Sequence, residues 1–351
     1  MLKAVVLAGG NGIRLWPKSR SDLPKQFMPF LGGKSMFQRT LDRLTAFLPT
    51  KDIYVVTLDQ YATFVKDQSN LPPEQLILEP EARNTAACIG LAGTHFLRHN
   101  QDPVLITMPA DHYIEGDDEF REAVNKAYFQ ARKEACVVTL GIKPTRPETA
   151  YGYIKIRENT LEDIFQVEEF TEKPDVITAQ NWVSKPQYYW NSGIMAWRAS
   201  YIESLIAAHL PQLAQGLTAI KAVSRTEQST IHLEKVKQQI YKELPSISID
   251  YGILEKLPVT YLIPVKFQWD DLGSWSALDR WIPRDEQSNV IVGDHKLLQT
   301  KECTIYSERT FVGTIGVEQL IIVVTDDAVL VCHKDNEQEI KSMLEHFKQH
   351  E

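Results

Sequence analysis

The fold of this chain is decided near its start by Leu7-Ala8-Gly9-Gly10-Asn11-Gly12-Ile13-Arg14-Leu15-Trp16-Pro17, followed by Pro24-Lys25-Gln26-Phe27. A short apolar run at 4–7 leads into the three glycines, which predicts a buried β-strand that ends in a loop. Glycines let the backbone approach a bulky anion and turn N–H groups toward it. Arg14 and Lys25 add positive charge and directional donors for phosphate oxygens. The pattern therefore indicates a loop that holds a nucleoside triphosphate at a strand end.

Spacing excludes two other phosphate-binding loops. The P-loop pattern G-x-x-x-x-G-K-[ST] has no match in this sequence. The dinucleotide pattern G-x-G-x-x-G is matched at its first two places by Gly10 and Gly12, but Leu15 stands where the third glycine belongs. Taken alone, the glycines fit a plain turn with surface charges equally well. The order of Arg14 and Lys25 behind them favours phosphate binding.

Composition sets the class of protein. The 351 residues suggest two domains, and 43% apolar with 24% charged residues is typical of a globular protein. A formal net charge of −8 argues against nucleic acid as a partner. No apolar run reaches the length that spans a bilayer, and no leader pattern precedes the first strand, so we expect no membrane association. The four cysteines lack C-x-x-C spacing, which predicts isolated thiols in the cytoplasm.

Strand-like and helix-like segments alternate through the first half of the chain. This predicts an α/β fold with a Rossmann-like mixed, mostly parallel sheet flanked by helices. Ser35 is the expected N-cap of a helix that runs to about Leu48. Further helices are expected at 199–224 and 233–242, and a strand at 259–267. Composition changes near Arg284, so we predict a catalytic domain at 1–284 and a β-rich domain with a terminal helix (about 336–349) at 285–351.

Two aspartates that follow predicted strands are candidate metal ligands. Asp111 and Asp271 each come after a strand, at the edge where ligands bind in open α/β sheets. Carboxylates near a triphosphate suggest Mg²⁺, which takes carboxylate and phosphate oxygens together. Capping of a turn or helix is an equally good interpretation of Asp111 alone. Asp270 and Asp271 point opposite ways if extended, and Asp271 is our choice.

A loop with acidic and amide side chains is the candidate base-binding segment. Glu79-Pro80-Glu81-Ala82-Arg83-Asn84 enters a predicted helix. Guanine offers two donors, N1–H and the N2 amino group, so an acceptor such as the Glu79 carboxylate favours guanine. Helix capping by Asn84 or Thr85 is the better interpretation of this loop taken alone.

Two further segments are candidates for binding a sugar phosphate. Glu172 could accept from sugar hydroxyls and Lys173 could meet a phosphate, although an ordinary exposed ion pair is the better interpretation from spacing alone. Asn191 could offer an amide to hydroxyls beside Trp190, or belong to a turn. The H-E-x-x-H pattern of zinc hydrolases and the G-x-S-x-G pattern of serine hydrolases are both absent.

The motifs occur together in the order seen in one family. The chain resembles the sugar-1-phosphate nucleotidylyltransferases, and within them the mannose-1-phosphate guanylyltransferases (GDP-mannose pyrophosphorylases). The resemblance covers about residues 1–280 and rests on the glycine stretch, Pro24-Lys25-Gln26-Phe27, Glu79-Pro80, Arg83-Asn84-Thr85-Ala86, Pro109-Ala110-Asp111-His112, Tyr151-Gly152-Tyr153-Ile154, Phe170-Thr171-Glu172-Lys173-Pro174, Trp190-Asn191-Ser192-Gly193 and Trp269-Asp270-Asp271-Leu272-Gly273-Ser274-Trp275. One departure is Ile13, where the family usually has a small hydroxyl residue.

The resemblance implies transfer of a guanylyl group from GTP to mannose 1-phosphate. It implies that Arg14 and Lys25 act on the triphosphate and that Mg²⁺ is held by Asp111 and Asp271. It implies nucleotide binding by Gly9, Gly10, Gly12, Glu79, Asn84 and Asp111, and sugar-phosphate binding by Gly152, Glu172, Lys173 and Asn191.

The resemblance also bears on the C-terminal region and on the alternatives. Short members of the family have a tail that forms a partial left-handed β-helix used in dimerisation, so we expect a homodimer through this region. A nucleotidylyltransferase for another hexose or heptose 1-phosphate is the nearest alternative. A non-catalytic nucleotide-sugar sensor is disfavoured because the charged loop and both aspartates are present.

Overall fold

The computed structural model describes residues 1–10, 12–31, 33–161, 163–223, 229–257 and 260–348. Asn11 of the glycine loop, Ser224 and Val259 at predicted element ends, and Gln349 of the predicted terminal helix lie outside these ranges. The chain forms two compact units. The first unit comprises Met1–Gly9, Thr40–Ala110 and Ile114–Trp269, and the second comprises Gly10–Arg39, Asp111–Tyr113 and Asp270–Glu351.

The strands and helices follow in chain order. The strands are β1 (Leu2–Leu7), β2 (Pro29–Leu31), β3 (Lys34–Ser35), β4 (Ile53–Leu58), β5 (Leu76–Glu79), β6 (Val104–Pro109), β7 (Tyr113–Glu115), β8 (Val137–Ile142), β9 (Tyr153–Leu161), β10 (Ile164–Thr171), β11 (Tyr188–Arg198), β12 (Thr260–Pro264), β13 (Gln268–Asp270), β14 (Val290–Val292), β15 (His295–Leu298), β16 (Thr304–Ser307), β17 (Val312–Ile315), β18 (Leu320–Val324) and β19 (Val329–His333). The helices are α1 (Met36–Thr45), α2 (Ala62–Gln68), α3 (Asn84–Arg98), α4 (Asp117–Lys133), α5 (Val176–Val183), α6 (Ala199–His209), α7 (Pro211–Ala222), α8 (Ser229–Glu243), α9 (Ile249–Gly252) and α10 (Ile340–Lys348).

The described part of the first unit contains a nine-stranded sheet in the order β5-β4-β1-β6-β11-β8-β12-β10-β9. Strands β5, β4, β1 and β6 pair in parallel, and so do β8 and β12. Strands β10 and β11 are antiparallel to each of their neighbours. Seven of the nine strands therefore run in one direction, which confirms the predicted mixed, mostly parallel sheet.

Packing explains why these segments form a layered unit. The strand β1 is apolar on both faces, and Ala4, Val5 and Val6 are fully buried, as expected for a central strand covered by helices on both sides. A large apolar cluster combines α3, α6 and α7 with residues of β1 and β4. The predicted helix over 199–224 is two helices, because Pro211 begins α7 and cannot continue the hydrogen bonds of α6.

The predicted strand at 259–267 differs from the observed one. Strand β12 ends at Pro264, which has no N–H to extend the ladder. A separate short strand, β13, then leads to Asp271. Asp271 thus follows its own strand rather than the end of β12.

In the C-terminal region, the second unit contains short strands that pair mostly in parallel. Strands β14, β16 and β18 pair in parallel register, β19 closes that sheet in antiparallel register, and β15 pairs in parallel with β17. This stacking of short parallel strands confirms the predicted β-rich region of β-helix type; the left-handed sense of its coils stays a prediction. The predicted domain boundary at 284/285 also stays a prediction. The second unit includes residues 10–39 and 111–113 in addition to the C-terminal region.

A single apolar cluster ties the N-terminal segment of the second unit to its C-terminal part. Leu15 and Met28 from the N-terminal segment pack with Trp275, Ile321 and Ile340. The cap of α1 is local: the Ser35 hydroxyl accepts from the N–H of Gln38 at 3.1 Å, and the Gln38 side chain accepts from the N–H of Ser35 at 3.0 Å. This reciprocal pair confirms Ser35 as the N-cap.

Candidate active site

The glycine loop of the second unit is shaped around Lys25. Gly12 has a left-handed backbone with φ 58°, and a Cβ there would stand 2.3 Å from the Cβ of Lys25. Only glycine therefore fits at this position. Gly12 precedes a 3₁₀ turn, Ile13–Leu15, and Lys25 begins a second one, Lys25–Phe27. The carbonyl oxygen of Gly10 accepts from the Gln26 side chain at 2.9 Å, which holds the two turns together.

The Lys25 ammonium joins the two predicted metal ligands. Lys25 is 4% exposed, and its Nζ lies 2.9 Å from the Oδ2 of Asp111. It also donates to the backbone carbonyl of Asp271. Burial alone would raise the pKa of Asp111, but the positive charge of Lys25, the neighbouring His112 and the hydrogen bond from Lys25 hold that pKa below its ordinary value. Asp111 is therefore ionised at neutral pH, as a metal ligand must be.

These groups line one open cavity of about 340 Å³ within the second unit, which we call the Lys25 pocket. Its walls are formed by Gly12, Ile13, Arg14, Lys25, Asp111, Asp271, Gly273 and Lys341. The Arg14 side chain is exposed, whereas Lys25 is buried. Three cations and two carboxylates thus surround a space that is large enough for part of a polyphosphate.

The predicted Mg²⁺ fits the donors of this pocket. Mg²⁺ is commonly held by one or two carboxylates together with phosphate oxygens and water. Asp111 and Asp271 supply two carboxylates on one cavity. Within the described ranges, no group of three or more His, Cys, Asp or Glu side chains is assembled for a metal.

The neighbouring aspartates 270 and 271 have different environments. Asp270 is 2% exposed and accepts from the Arg280 guanidinium at 2.8 Å and from the N–H of Leu272 at 2.8 Å. Asp271 accepts from the N–H of Gly273 at 3.0 Å and lines the Lys25 pocket. Asp270 is therefore an internal ion-pair partner, and Asp271 is the one placed for a ligand.

The segment after the glycine loop is fixed to the C-terminal part of the second unit. Lys18, which is 9% exposed, donates to the Tyr306 hydroxyl and to the Glu308 carboxylate. The Trp275 indole N–H donates to the carbonyl of Trp16 at 2.9 Å. These contacts order the chain between Arg14 and Lys25, so the C-terminal part of the second unit positions the pocket's cations.

Glu79 and Gly9 lie together in the first unit. Glu79 ends β5 and is 3% exposed, and a Cβ on Gly9 would stand 3.8 Å from its Oε2. Burial raises the pKa of Glu79 to about 7, although the hydrogen bonds from Cys88 and Tyr241 lower it. The Tyr241 hydroxyl donates to Oε1 at 3.3 Å. Glu79 is thus a buried carboxyl next to Gly9.

Asn84 is the first residue of α3, and Arg83 stands at the N-cap position without a side-chain capping bond. Asn84 has a left-handed backbone with φ 64°, its side chain is exposed, and its Oδ1 accepts from the N–H of Thr85 at 2.8 Å. The Thr85 hydroxyl accepts from the N–H of Ile249 at 2.8 Å. The Asn84 side chain thus bonds its neighbour in sequence and does not cap the helix, which the sequence analysis had offered as the better interpretation. A role in nucleotide binding stays a prediction.

The predicted sugar-binding residues lie together in the first unit. A Cβ on Gly152 would stand 2.5 Å from Oε2 of Glu172, and the Gly152 carbonyl accepts from the N–H of Asn191 at 2.8 Å. Glu172 accepts from the Lys173 ammonium, and Lys173 takes a left-handed backbone with φ 49° after the end of β10. Asn191 is part of β11, beside an irregularity of its pairing with β8, and not of a turn. Gly152, Glu172, Asn191 and Asp250 form what we call the Asn191 cluster.

Comparisons with known proteins agree with this geometry. A family model described as nucleotidyl transferase matches residues 3–288, and one described as MannoseP isomerase/GMP-like beta-helix domain matches residues 293–347. The mannose-1-phosphate guanylyltransferase of Klebsiella pneumoniae is 38% identical over 100% of this chain and 75% of that protein. The same-named protein of Salmonella muenchen is 39% identical over 98% of this chain and 73% of that protein.

The chain belongs to the mannose-1-phosphate guanylyltransferase family of nucleotidyl transferases. A crystal structure described as mannose-1-phosphate geranyltransferase from Thermus thermophilus aligns over 99% of both chains with a TM-score of 0.88 and 35% identity. In this family member, no helix among the described residues has the length and apolarity needed to cross a membrane.

Two residues of this family member were missed by the sequence analysis. Asp250 accepts from the Asn191 amide at 3.0 Å, and burial together with the charge of Glu172 raises its pKa to about 6. It lies in the short helix α9 without any motif around it. Lys341 lines the Lys25 pocket from α10, a charged helix that resembles any solvated surface helix in sequence. Only tertiary packing identifies either residue.

Proposed function

We propose that this chain transfers the guanylyl group of GTP to α-D-mannose 1-phosphate, giving GDP-mannose and pyrophosphate. The observation that carries the proposal is the Lys25 pocket, where a buried lysine, an exposed arginine and two carboxylates surround one cavity. The full-length match to proteins named mannose-1-phosphate guanylyltransferase supports the choice of nucleotide and sugar.

The chemistry needs positioning and charge neutralisation more than proton transfer. A phosphate oxygen of mannose 1-phosphate attacks the α-phosphorus of GTP, the new P–O bond forms, and the bond to the β-phosphate bridging oxygen breaks in line with it. The nucleophile is already an anion, so the reaction requires no general base. Lys25 and Arg14 hold the triphosphate and stabilise the negative charge that develops on the departing pyrophosphate.

Mg²⁺ completes the proposed site at Asp111 and Asp271. When bound, it neutralises phosphate charge and acts as a Lewis acid on phosphoryl oxygens. The ionised state of Asp111 supports this assignment, because the pKa of that carboxyl is held low by Lys25 and His112.

The two clusters of the first unit are assigned to recognition. Glu79, beside Gly9, accepts from the guanine N1–H and N2 amino donors, and Asn84 contributes to the nucleoside contact. The Asn191 cluster reads sugar hydroxyls, and Lys173 meets the sugar phosphate. In support, the Asn191 cluster holds carboxylate and amide groups that can both accept and donate, which suits a polyhydroxy ligand.

We also propose a cytoplasmic homodimer. Large apolar side chains are exposed in the C-terminal part of the second unit, including Phe311 (62%) and Ile315 (73%). Such exposed apolar groups are typical of an interface. All four cysteines are free thiols, which suits a reducing compartment.

A pyrophosphate-release assay tests the proposed reaction. Four nucleoside triphosphates are combined with mannose, glucose, galactose and fucose 1-phosphates, each with and without Mg²⁺. We expect release that depends on Mg²⁺ and on both substrates and is fastest with GTP and mannose 1-phosphate. Release that ignores the sugar would identify a hydrolase, and a preference for another pair of substrates would overturn the assignment.

A further inference from the structure

The Lys25 pocket contains a cation that comes from the last helix of the chain. Lys341 is the second residue of α10, and it lines the cavity together with Arg14, Lys25 and both aspartates. The reaction as proposed above assigns no role to it. The question is whether its position is fixed well enough for it to act on a ligand.

Packing fixes the start of α10 against the glycine loop. Ile340 is 3% exposed and belongs to the apolar cluster of Leu15 and Leu272. Leu15 follows Arg14 directly, and Leu272 follows Asp271. Helix α10 also contacts the 3₁₀ turn at Ile13–Leu15. The backbone of Lys341 is therefore held by the same cluster that holds the walls of the pocket.

A polar anchor fixes the residues just before α10. Glu337 accepts from the N–H of Ser276 at 3.1 Å and from its hydroxyl at 2.6 Å. Ser276 lies five residues after Asp271, in the 3₁₀ turn Trp275–Arg280. The turn that leads into α10 is thus bonded directly to the segment that carries the second aspartate, which limits the distance that Lys341 can move from the pocket.

The charge of Lys341 is available to a ligand. Its one ion pair among the described residues is with Glu345 of the same helix at 3.7 Å, and both side chains are more than half exposed. An exposed helical pair of this kind is weak, because water screens both charges. A polyphosphate oxygen in the pocket offers a stronger partner.

Lys341 adds positive charge to the lining of the Lys25 pocket. The side chains of Arg14, Lys25, Asp111 and Asp271 carry two positive and two negative charges, which cancel. Bound Mg²⁺ would add two positive charges and Lys341 adds a third, against roughly four negative charges on a nucleoside triphosphate. Lys25 is buried beside both aspartates, whereas Lys341 and Arg14 are exposed. Lys25, the buried cation, is therefore suited to the phosphate that reacts. Arg14 and Lys341, the exposed cations, are suited to the terminal phosphates of the nucleotide.

We propose that Lys341 binds the terminal phosphates of the nucleoside triphosphate and the pyrophosphate that leaves, so that α10 supplies a third cation to the active site. The proposal rests on the proposed function for the identity of the nucleotide. Its chemistry requires only a polyphosphate anion with Mg²⁺.

Direct binding tests the proposal apart from catalysis. Titration calorimetry measures Mg²⁺–pyrophosphate and Mg²⁺–GTP binding to the full-length wild type and to Lys341→Gln, which keeps most of the side chain's length. We expect Kd to rise about 5- to 20-fold in Lys341→Gln, as for loss of a partly exposed charged hydrogen bond. Lys341→Arg should restore binding to within about threefold. Lys296→Gln, an exposed site on β15 outside the pocket, removes the same net charge and should leave Kd unchanged.

Kinetics separate this proposal from the proposed function. In Lys341→Gln, KM for GTP and for pyrophosphate in the reverse reaction should rise, while KM for the sugar phosphate stays within twofold. Unchanged Kd and KM values in a folded Lys341→Gln variant would overturn the role of Lys341 and leave the reaction intact. A wild type that binds Mg²⁺–pyrophosphate but catalyses no transfer would overturn the reaction instead. Equal weakening in Lys296→Gln would show that only net charge matters, and would also overturn the role of Lys341.

Discussion

Replacing Glu79 by glutamine should make this protein's stability less dependent on pH. Glu79 is 3% exposed, and burial raises its pKa from the ordinary 4.5 to about 7. A carboxyl with a raised pKa in the folded state stabilises the fold while it is protonated. That contribution is fully present below pH 4.5 and is lost as the pH rises through 7.

The size of the effect follows from the two pKa values. The interval from 4.5 to about 7 corresponds to about 3 kcal/mol, at roughly 1.4 kcal/mol per pKa unit. Cys88 and Tyr241, which hydrogen-bond to Glu79, do not confuse the measurement. Burial raises the pKa of Cys88 well above 9.0 and that of Tyr241 well above 10.0, so both stay neutral below pH 8.

The assay is urea unfolding of the ligand-free protein at pH 5, 6, 7 and 8. The difference in unfolding free energy, Glu79→Gln minus wild type, should rise by about 2–3 kcal/mol from pH 5 to pH 8. Taking the difference cancels every other titrating group. Glu74→Gln, at an exposed site just before β5, is the matched control and should show no trend. Parallel curves for Glu79→Gln and wild type across this range would refute the argument, because Glu79 would then ionise as it does in water.

Four further substitutions separate catalysis from stability. Lys25→Ala should lower the turnover rate by roughly 10²–10⁴ because it removes a cation from the reacting phosphates; steady-state kinetics on a variant with native circular dichroism checks this, and near-normal turnover would contradict it. Asp271→Asn should lower activity and leave the free energy of unfolding unchanged, whereas Asp270→Asn should lower the free energy of unfolding by about 1–3 kcal/mol because it breaks a buried ion pair. Kinetic and unfolding measurements on both variants distinguish the two effects. Equal effects would show that the two aspartates were assigned wrongly. Glu308→Gln should lower the free energy of unfolding by about 1–2 kcal/mol and raise KM for GTP, because the buried Lys18 ammonium loses its anionic partner. A KM identical to that of wild type would mean that this contact does not order the loop.

The sheet and the glycine loop could be predicted because their signals are local. An apolar run that ends in glycines predicts β1 and its loop, and Ser35 with Gln38 three residues later is a capping pattern that any helix start can use. Such features depend on neighbours in sequence, and the structure places them as predicted.

The remaining features depend on contacts between distant segments. Strand β15 is short and mostly exposed, so it carries no strand signal of its own; it exists because it pairs with β17 in parallel register. Asp250 becomes part of the Asn191 cluster only because α9 brings it within 3.0 Å of the Asn191 amide. Lys341 could not be recognised in advance for the same reason, since only the packing of Ile340 places it at the pocket.

The composition of the second unit changes the role that the C-terminal region is expected to have. A C-terminal region that served only dimerisation would not need to share an apolar core with the glycine loop. Instead, Leu15 and Met28 are buried in the same cluster as Ile321 and Ile340, and the Lys18 ammonium has its partners at Tyr306 and Glu308. A glycine-rich loop buries little apolar surface of its own, so it stays ordered only through contacts with other segments of the chain. Residues 270–348 supply that support, so the C-terminal region holds the walls of the Lys25 pocket in place.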